Sequence, residues 1–287
     1  NLQEKVIGPA RMTLKDDVLA IKDSYHIERA NAGMDDTYNS PKFPGVTAFG
    51  LIEGVDMNTE TLVDSNVAIS ATEVGVSVEV TKKALRTIKG ADFLRRAGIA
   101  MGSAINVKEE QDFATIVDGY GTVVGLDGSS ATIGQLGAAL AQLAANSEPI
   151  NEAMMRGVSA VVHPYMWHDI RQMLFPTGSG DAQAPFTPTP NDVAMSVFRR
   201  FAPVGNYYGT PIKTSTNLVT SSTDVRGGVF HRNSGLIYEF MPVDMEVDDS
   251  DKSMRSVELD MVVDYGYGEI LDGHGREWDS DITSPTS

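Results

Sequence analysis

A chain of 287 residues with 41% hydrophobic content hides roughly 75% of its extended surface on folding, so its core needs no disulfide or metal. The absence of cysteine removes disulfide frameworks, thiolate zinc sites and cysteine nucleophiles together. A formal charge of −16 argues against passive nucleic-acid binding, which needs clustered Lys and Arg to neutralise phosphate. The acidity is uneven: thirteen acids between Asp244 and Asp281 face Lys252, Arg255 and Arg276, a local −10. No run of about 18 apolar residues is present, so no membrane-spanning helix is expected. The chain begins Asn1-Leu2-Gln3-Glu4-Lys5, with no signal-like stretch and no initiator Met. Whether a longer leader has been removed stays open.

In residues 1–48, Pro9, Asn31, Gly33, Asn39, Pro41, Pro44 and Gly45 break every periodic run and leave one short candidate helix near Leu14–Tyr25. Such a segment reads as a tail, or as an arm that orders only on a neighbour. From Phe49 to Val80 the pattern is extended. Val74, Val76, Val78 and Val80 alternate with Gly75, Ser77 and Glu79 as in a half-buried strand. Leu51–Val63 is a weaker strand, a turn is expected at Asp64-Ser65-Asn66, and the two strands would form a flap that lies on something else, another subunit being one option.

Thr81 is placed to cap a short helix, and a long helix is expected from Ala91 to about Asp118. Its stripe is Phe93, Ala97, Ala100, Met101, Ala104, Ile105, Phe113, Ile116 and Val117. Gly119 would end it in the left-handed conformation. Gly98 and Gly102 inside it each cost up to about 1 kcal/mol relative to Ala, which implies close packing there. Arg95, Arg96 and Lys108 make a membrane dimer motif a poor account of them.

Residues 131–225 alternate α and β. Thr132 and Gln135 have capping-box spacing before Leu136, Leu140, Leu143 and Ala144. Val158–Val162 reads as a buried strand, and Pro164 opens a helix at a permitted first position. Phe175–Pro190 is a loop, Asn191–Phe201 a candidate helix, and Pro211–Thr214 strand material. A hairpin follows: Val243, Met245 and Val247, then Val257, Leu259, Met261 and Val263, alternate with acids around a turn at Asp249–Ser253. The tail from Leu271 is expected to be loosely held.

Chemistry is sparse. Among the five histidines only His163 and His168 are close, and five residues do not place both on one helical face for zinc. Nucleophile-elbow, phosphate-loop and dinucleotide fingerprints are missing. Asp248, Asp249 and Asp251 lack the Gly and closing Glu of a calcium loop. No cofactor, metal or catalytic residue is assigned. Like charges across the hairpin's acidic face repel, so a cation, a basic neighbour or water must relieve them.

Val74–Leu85 running into the helix through Lys108–Asp112, with Val161-Val162-His163-Pro164, Tyr208–Ile212 and Gly228–Arg232, resembles the major capsid proteins of tailed bacteriophages, the α+β Hong Kong 97-type fold. The resemblance implies an N-terminal arm (1–48) and an E-loop β-hairpin (49–80). It also implies a peripheral domain (81–128 and 226–270) with a spine helix and a hairpin at 240–268, an axial α/β domain (129–225) and a C-terminal tail (271–287). It further implies copies of itself in pentamers and hexamers, a scaffolding protein, a portal, a possible cement protein and enclosed, not sequence-specifically bound, DNA. The virion is the place implied, with assembly in the host cytoplasm. Glu53, Asp56, Glu60, Glu73, Glu79, Arg95 and Arg96 are the expected intersubunit contacts. No lysine lies between Lys42 and Lys82, so the isopeptide weld of some family members has no donor in the flap. The alternatives are an encapsulin-like shell, an α/β enzyme using His163 and His168, and a tail or fibre component.

Overall fold

The computed structural model describes residues 6–10, 13, 19–31, 35–42, 48–54, 56–57, 59, 61, 65–87, 90–146, 157–174, 205–207, 209–221, 223–248 and 255–282. A helical turn at residues 6–10 and a 3-10 turn at Lys22–Ser24 precede strands β1 (His26–Arg29), β2 (Thr37–Lys42), β3 (Ser65–Ser70) and β4 (Thr72–Thr81). Helices α1 (Lys82–Thr87) and α2 (Gly90–Asp118) follow, then β5 (Val123–Gly125), α3 (Ile133–Ala144), β6 (Val158–Val162) and α4 (Pro164–Leu174). Strands β7 (Gly205–Tyr207), β8 (Thr210–Thr214), β9 (Val219–Ser221), β10 (Asp224–His231), β11 (Gly235–Asp248), β12 (Ser256–Glu269) and β13 (Gly275–Asp281) come last.

They form a four-stranded sheet in the order β1-β11-β12-β4, a seven-stranded sheet in the order β5-β13-β10-β6-β8-β7 with β9 beside β10, and the ribbon β2-β3. Helix α2 touches strands of both large sheets. In the four-stranded sheet the period-two pattern works as expected: Val247, Leu259 and Val78 line up across three strands, and so do Met245, Met261 and Val76. Leu259, Met261 and Met245 are fully buried. Capping at α3 is also as the sequence predicts. Thr132 Oγ1 accepts from the Gln135 N–H and the Gln135 side chain accepts from the Thr132 N–H, satisfying two orphan donors of the first turn.

Several expectations need correction. The ribbon is not 51–63 against 67–80. Ser65–Ser70 pairs with Thr37–Lys42, and β4 joins the four-stranded sheet instead. The described residues between 48 and 61 contain no strand. The ribbon's support is its own chain: Ile69 is buried with Leu236 and Tyr238, and the Ser70 carbonyl lies where a Cβ at Gly266 would stand.

The N-terminal segment is the second. Val6, Ala10, Ile21 and Tyr25 are buried in the chain's own core, and β1 pairs with β11. This explains the helix glycines. A Cβ at Gly98 would run into the Val6 carbonyl oxygen, and one at Gly102 would sit 2.9 Å from that of Ala10. The close packing implied by the glycines is packing by the segment that looked least organised.

The third concerns the C-terminus. Residues 275–281 are not loose; β13 lies between β10 and β5, and Trp278 is fully buried with its Nε1 donating to Gln135 Oε1 at 3.1 Å. Strands β10 and β13 both belong to the seven-stranded sheet. Lastly, Gly119 is not left-handed; the helix closes with its N–H on the Ile116 carbonyl. Ala100, Ala104 and Ala144 are exposed rather than on buried faces. Within the helix expected at Leu14–Tyr25, residues 19–25 form turns with the 3-10 turn at Lys22–Ser24 and no α-helix; residues 14–18, the 175–190 loop, the 191–201 helix and the hairpin turn lie outside the described residues.

Gly98→Ala gains helix propensity of about 1 kcal/mol yet should lower stability, because carbonyl oxygen occupies the added methyl's position. A urea melt should show a net loss of about 1–3 kcal/mol, with earlier proteolytic cleavage before residue 20. A gain in stability would show that the N-terminal segment does not hold this position.

Candidate assembly surfaces

The tip between β2 and β3 presents Phe49, Leu51, Ile52 and Met57 at 46%, 73%, 71% and 66% exposure. These four belong to a chain that buries dozens of apolar residues elsewhere, so the exposure is not a shortage of core. Glu53 and Asp56 stand among them on the same segment. Glu60 lies outside the described residues. The stem below is held on the four-stranded sheet, and the tip therefore projects from a fixed base.

A second surface is the outward face of that sheet. The register aligns Asp248, Glu258 and Glu79 in one row and Glu246, Asp260 and Ser77 in the next, with Asp264 opposite Glu73. Strands β4, β11 and β12 contain no Lys or Arg. Within the face, Ser77 Oγ donates to Glu258 Oε1 at 2.9 Å. Directly opposed like charges destabilise a sheet. Arg95 and Arg96, the remaining expected contacts, are exposed on α2, away from Glu53 and Asp56 in sequence and element.

Beneath these surfaces is an ionic anchor that sequence reasoning missed. Lys22 Nζ lies 2.7 Å from Glu109 Oε2 and 3.0 Å from Glu239 Oε1, and Arg29 Nε is 2.7 Å from Glu239 Oε2. Burial pulls the Lys22 ammonium down, but the two carboxylates outweigh it and hold it above the ordinary value. Glu110 Oε1 accepts the Ile21 N–H at 3.1 Å. Tyr25 and Tyr120 hydroxyls lie 2.8 Å apart, and Tyr120 reaches Ser234 Oγ at 2.6 Å. Adjacent Glu109-Glu110 on the buried side of a long helix was the available signal, because buried carboxylates require partners.

A further carboxylate group sits where α2 ends against β13. Arg226 pairs with Asp118 and, at 3.3 Å, with Glu277. Burial pushes Glu277 up to about 7, against the pull of Arg226 and with Asp118, Asp279 and Asp127 adding to it. Burial and the neighbouring Asp127 push Asp279 up to about 6. His231 and His274 meet edge to face with ring centroids 6.1 Å apart, whereas His163 and His168 make separate local contacts. His163 Nδ1 accepts the Tyr165 N–H at 3.2 Å, and His168 lies 3.7 Å from its neighbour Asp169. Among the described residues no group of three His, Asp or Glu is arranged to hold a metal ion, and no helix is long and apolar enough to cross a membrane.

A family model described as phage capsid protein matches residues 64–272. Among solved structures, a chain from Mycobacterium phage Che8 superposes with a TM-score of 0.62 at 17% identity, covering 86% of this chain and 85% of that one. The capsid of Ralstonia phage GP4 gives 0.66 at 14% identity, with 92% of each chain covered. The capsid of a native GTA particle gives 0.66 at 10% identity, covering 92% and 90%. At these identities the likeness is one of fold, and it is the Hong Kong 97-type fold that the sequence resembles. No curated protein matches the chain at a significant level.

The Glu277 and Asp279 shifts fix a sign. Both are raised, so the stability they contribute is complete below the ordinary carboxylate values and is lost as pH rises toward 6 and 7. Glu277→Gln removes one of the two steps. Its melting temperature should therefore change less between pH 4.5 and pH 8 than that of the wild type. Equal slopes in the two proteins would remove Glu277 from the pH response.

Proposed function

The chain belongs to the phage capsid protein family, and from that premise we propose how it builds the head. It is a structural component of the virion shell and not an enzyme. Copies associate in pentamers and hexamers that close into an icosahedral shell around double-stranded DNA, which is enclosed rather than read. The four-stranded sheet and α2 form the peripheral part, and the seven-stranded sheet stands around the capsomer axes. The exposed tip carries this reading: four large apolar side chains on a projecting, firmly based flap are what a chain keeps for an adjacent copy. Heterologous contacts of this kind generate closed lattices when the rotation closes. Glu53 and Asp56, with Glu60, would set the tip's orientation on its neighbour. A scaffolding protein, a portal and possibly a cement protein would complete the particle, with assembly in the host cytoplasm.

With no lysine between Lys42 and Lys82, the contacts are non-covalent. Negative-stain images of purified protein should show closed shells, and boiling in detergent should return only monomer. A ladder of boiling-resistant oligomers would overturn the non-covalent shell.

Leu51→Ser with Ile52→Ser should leave the melt of the subunit unchanged. It should abolish closed particles, since each residue loses about 1.5–3 kcal/mol of burial per contact. Normal shells from this variant would show that the tip is not gripping a neighbour.

A further inference from the structure

Strand β5 is an edge of the seven-stranded sheet and pairs, among the described strands, with β13 alone, Val123, Val124 and Gly125 standing opposite Glu277, Trp278 and Asp279. The segment 122–129 around it is tied down by polar groups. The Glu277 N–H donates to the Thr122 carbonyl at 3.0 Å, the Gly128 N–H to Asp224 Oδ1 at 2.7 Å, and the Asp281 N–H to the Ser129 carbonyl at 3.0 Å. Of Val123, Val124 and Leu126 only Val124 is buried; the others are 51% and 72% exposed. Glu277 and Asp279, by contrast, are 5% and 7% exposed, and Asp279 Oδ1 has no hydrogen-bond partner. Asp127 of the segment hydrogen-bonds the Asp279 carboxyl, a contact that two carboxyl groups make only with a proton between them. We propose that segment 122–129 is a proton-operated latch, closed on β13 while Glu277 and Asp279 hold protons and loosened when they lose them. The latch is a property of the single subunit and does not depend on the shell reading.

The charged groups that face the two carboxyls come from three elements. Asp118 ends α2, Asp224 and Arg226 lie on β10, and Asp127 lies on the segment itself. Arg226 is already paired with Asp118. One shared guanidinium cannot neutralise the other carboxylates together once Glu277 and Asp279 ionise. Burial and these neighbours hold Glu277 at about 7 and Asp279 at about 6 while the segment is closed. Opening admits water and returns both to the ordinary range. Closure is therefore most favoured below the ordinary carboxylate values, weakens as pH rises, and has lost the contribution of both groups once pH passes 6 and then 7. The ladders decide which element yields. Strand β13 pairs with β10 along its whole length, from Gly275 to Asp281, and with β5 only from Glu277 to Asp279. Local opening is drawn from the least stable contacts of a structure, so β5 leaves and β13 stays. The sheet edge then passes from β5 to β13.

Hydrogen exchange on the full-length chain tests this, read as protection factors so that the intrinsic pH dependence of exchange is removed. Between pH 5 and pH 8 the amides of 122–129 should lose about tenfold or more of their protection, one pH unit of proton affinity being a factor of ten. Those of β6 and β10 should keep theirs. Unchanged protection in 122–129 overturns the latch, and so does an equal loss in β6 and β10, which is global destabilisation. Asp127→Asn with Glu277→Gln supplies the variant, because Asn donates to the Asp279 carboxylate without a shared proton and Gln cannot ionise. At pH 8 this chain should protect 122–129 as the wild type does at pH 5. A folded variant that still opens like wild type overturns the proposal. Should the double variant fail to fold, Asp127→Asn alone, at an exposed position, carries the test. It should move the loss of protection to higher pH, and an unmoved transition overturns the latch.

Discussion

Helix α2 is the constraint on which the other elements depend. It touches both large sheets, and it carries on its buried side two glycines and two glutamates that only make sense together. Gly98 and Gly102 let the backbone of residues 6–10 lie against the helix. Glu109 and Glu110 then capture Lys22 and the Ile21 N–H one step further along. Glycine brings the segment close and carboxylate fixes its register. Glu109 is buried while Lys22 is only partly so, and removing Lys22 leaves a buried carboxylate without its cation, at a cost of up to about 3–5 kcal/mol. Glu239 extends the anchor into β11, and Arg29 ties β1 to the same carboxylate.

This anchoring decides what is free to assemble. With the N-terminal segment and the flap stem held on their own chain, the apolar tip and the acidic sheet face are offered from a rigid support. A subunit whose arm and stem were both loose would have to order them on each contact, at an entropic cost of about 1–2 kcal/mol per residue. Here that cost is met during folding. In the proposed shell, lattice formation would then gain from burying the tip.

Legibility in the sequence followed periodicity. Strands β4 and β12 and the end of β11 from Val243 alternate, α3 shows its capping box, and Val158–Val162 is a short run with three valines, so each is found as the element expected, although β4 pairs elsewhere than in the flap. Strand β13 reads Gly-Arg-Glu-Trp-Asp-Ser-Asp, without an apolar alternation, and was invisible as core. It is buried because strands pair on both sides and because Arg276 spends its donors on the carbonyls of Gly273, Gly275 and Gln142. The ribbon failed for a different reason. Period two shows which face a strand buries but not which strand it pairs with, and Thr37-Tyr38-Asn39-Ser40-Pro41-Lys42 has no apolar run to advertise itself. Of the expected contact residues, Glu73 and Glu79 share a face by simple alternation, whereas only the sheet register could align Glu79 with Glu258 and Asp248.

The same register explains why the flap and the sheet are suited to different tasks. Apolar burial at the tip is short-ranged and insensitive to salt, so it supplies grip once subunits touch. Opposed carboxylates on an open sheet act over about a Debye length, near 8 Å at physiological ionic strength, and weaken as ions are added. For the chain as a whole, a net charge of −16 keeps single subunits apart in solution, and ions that screen this charge weaken the repulsion.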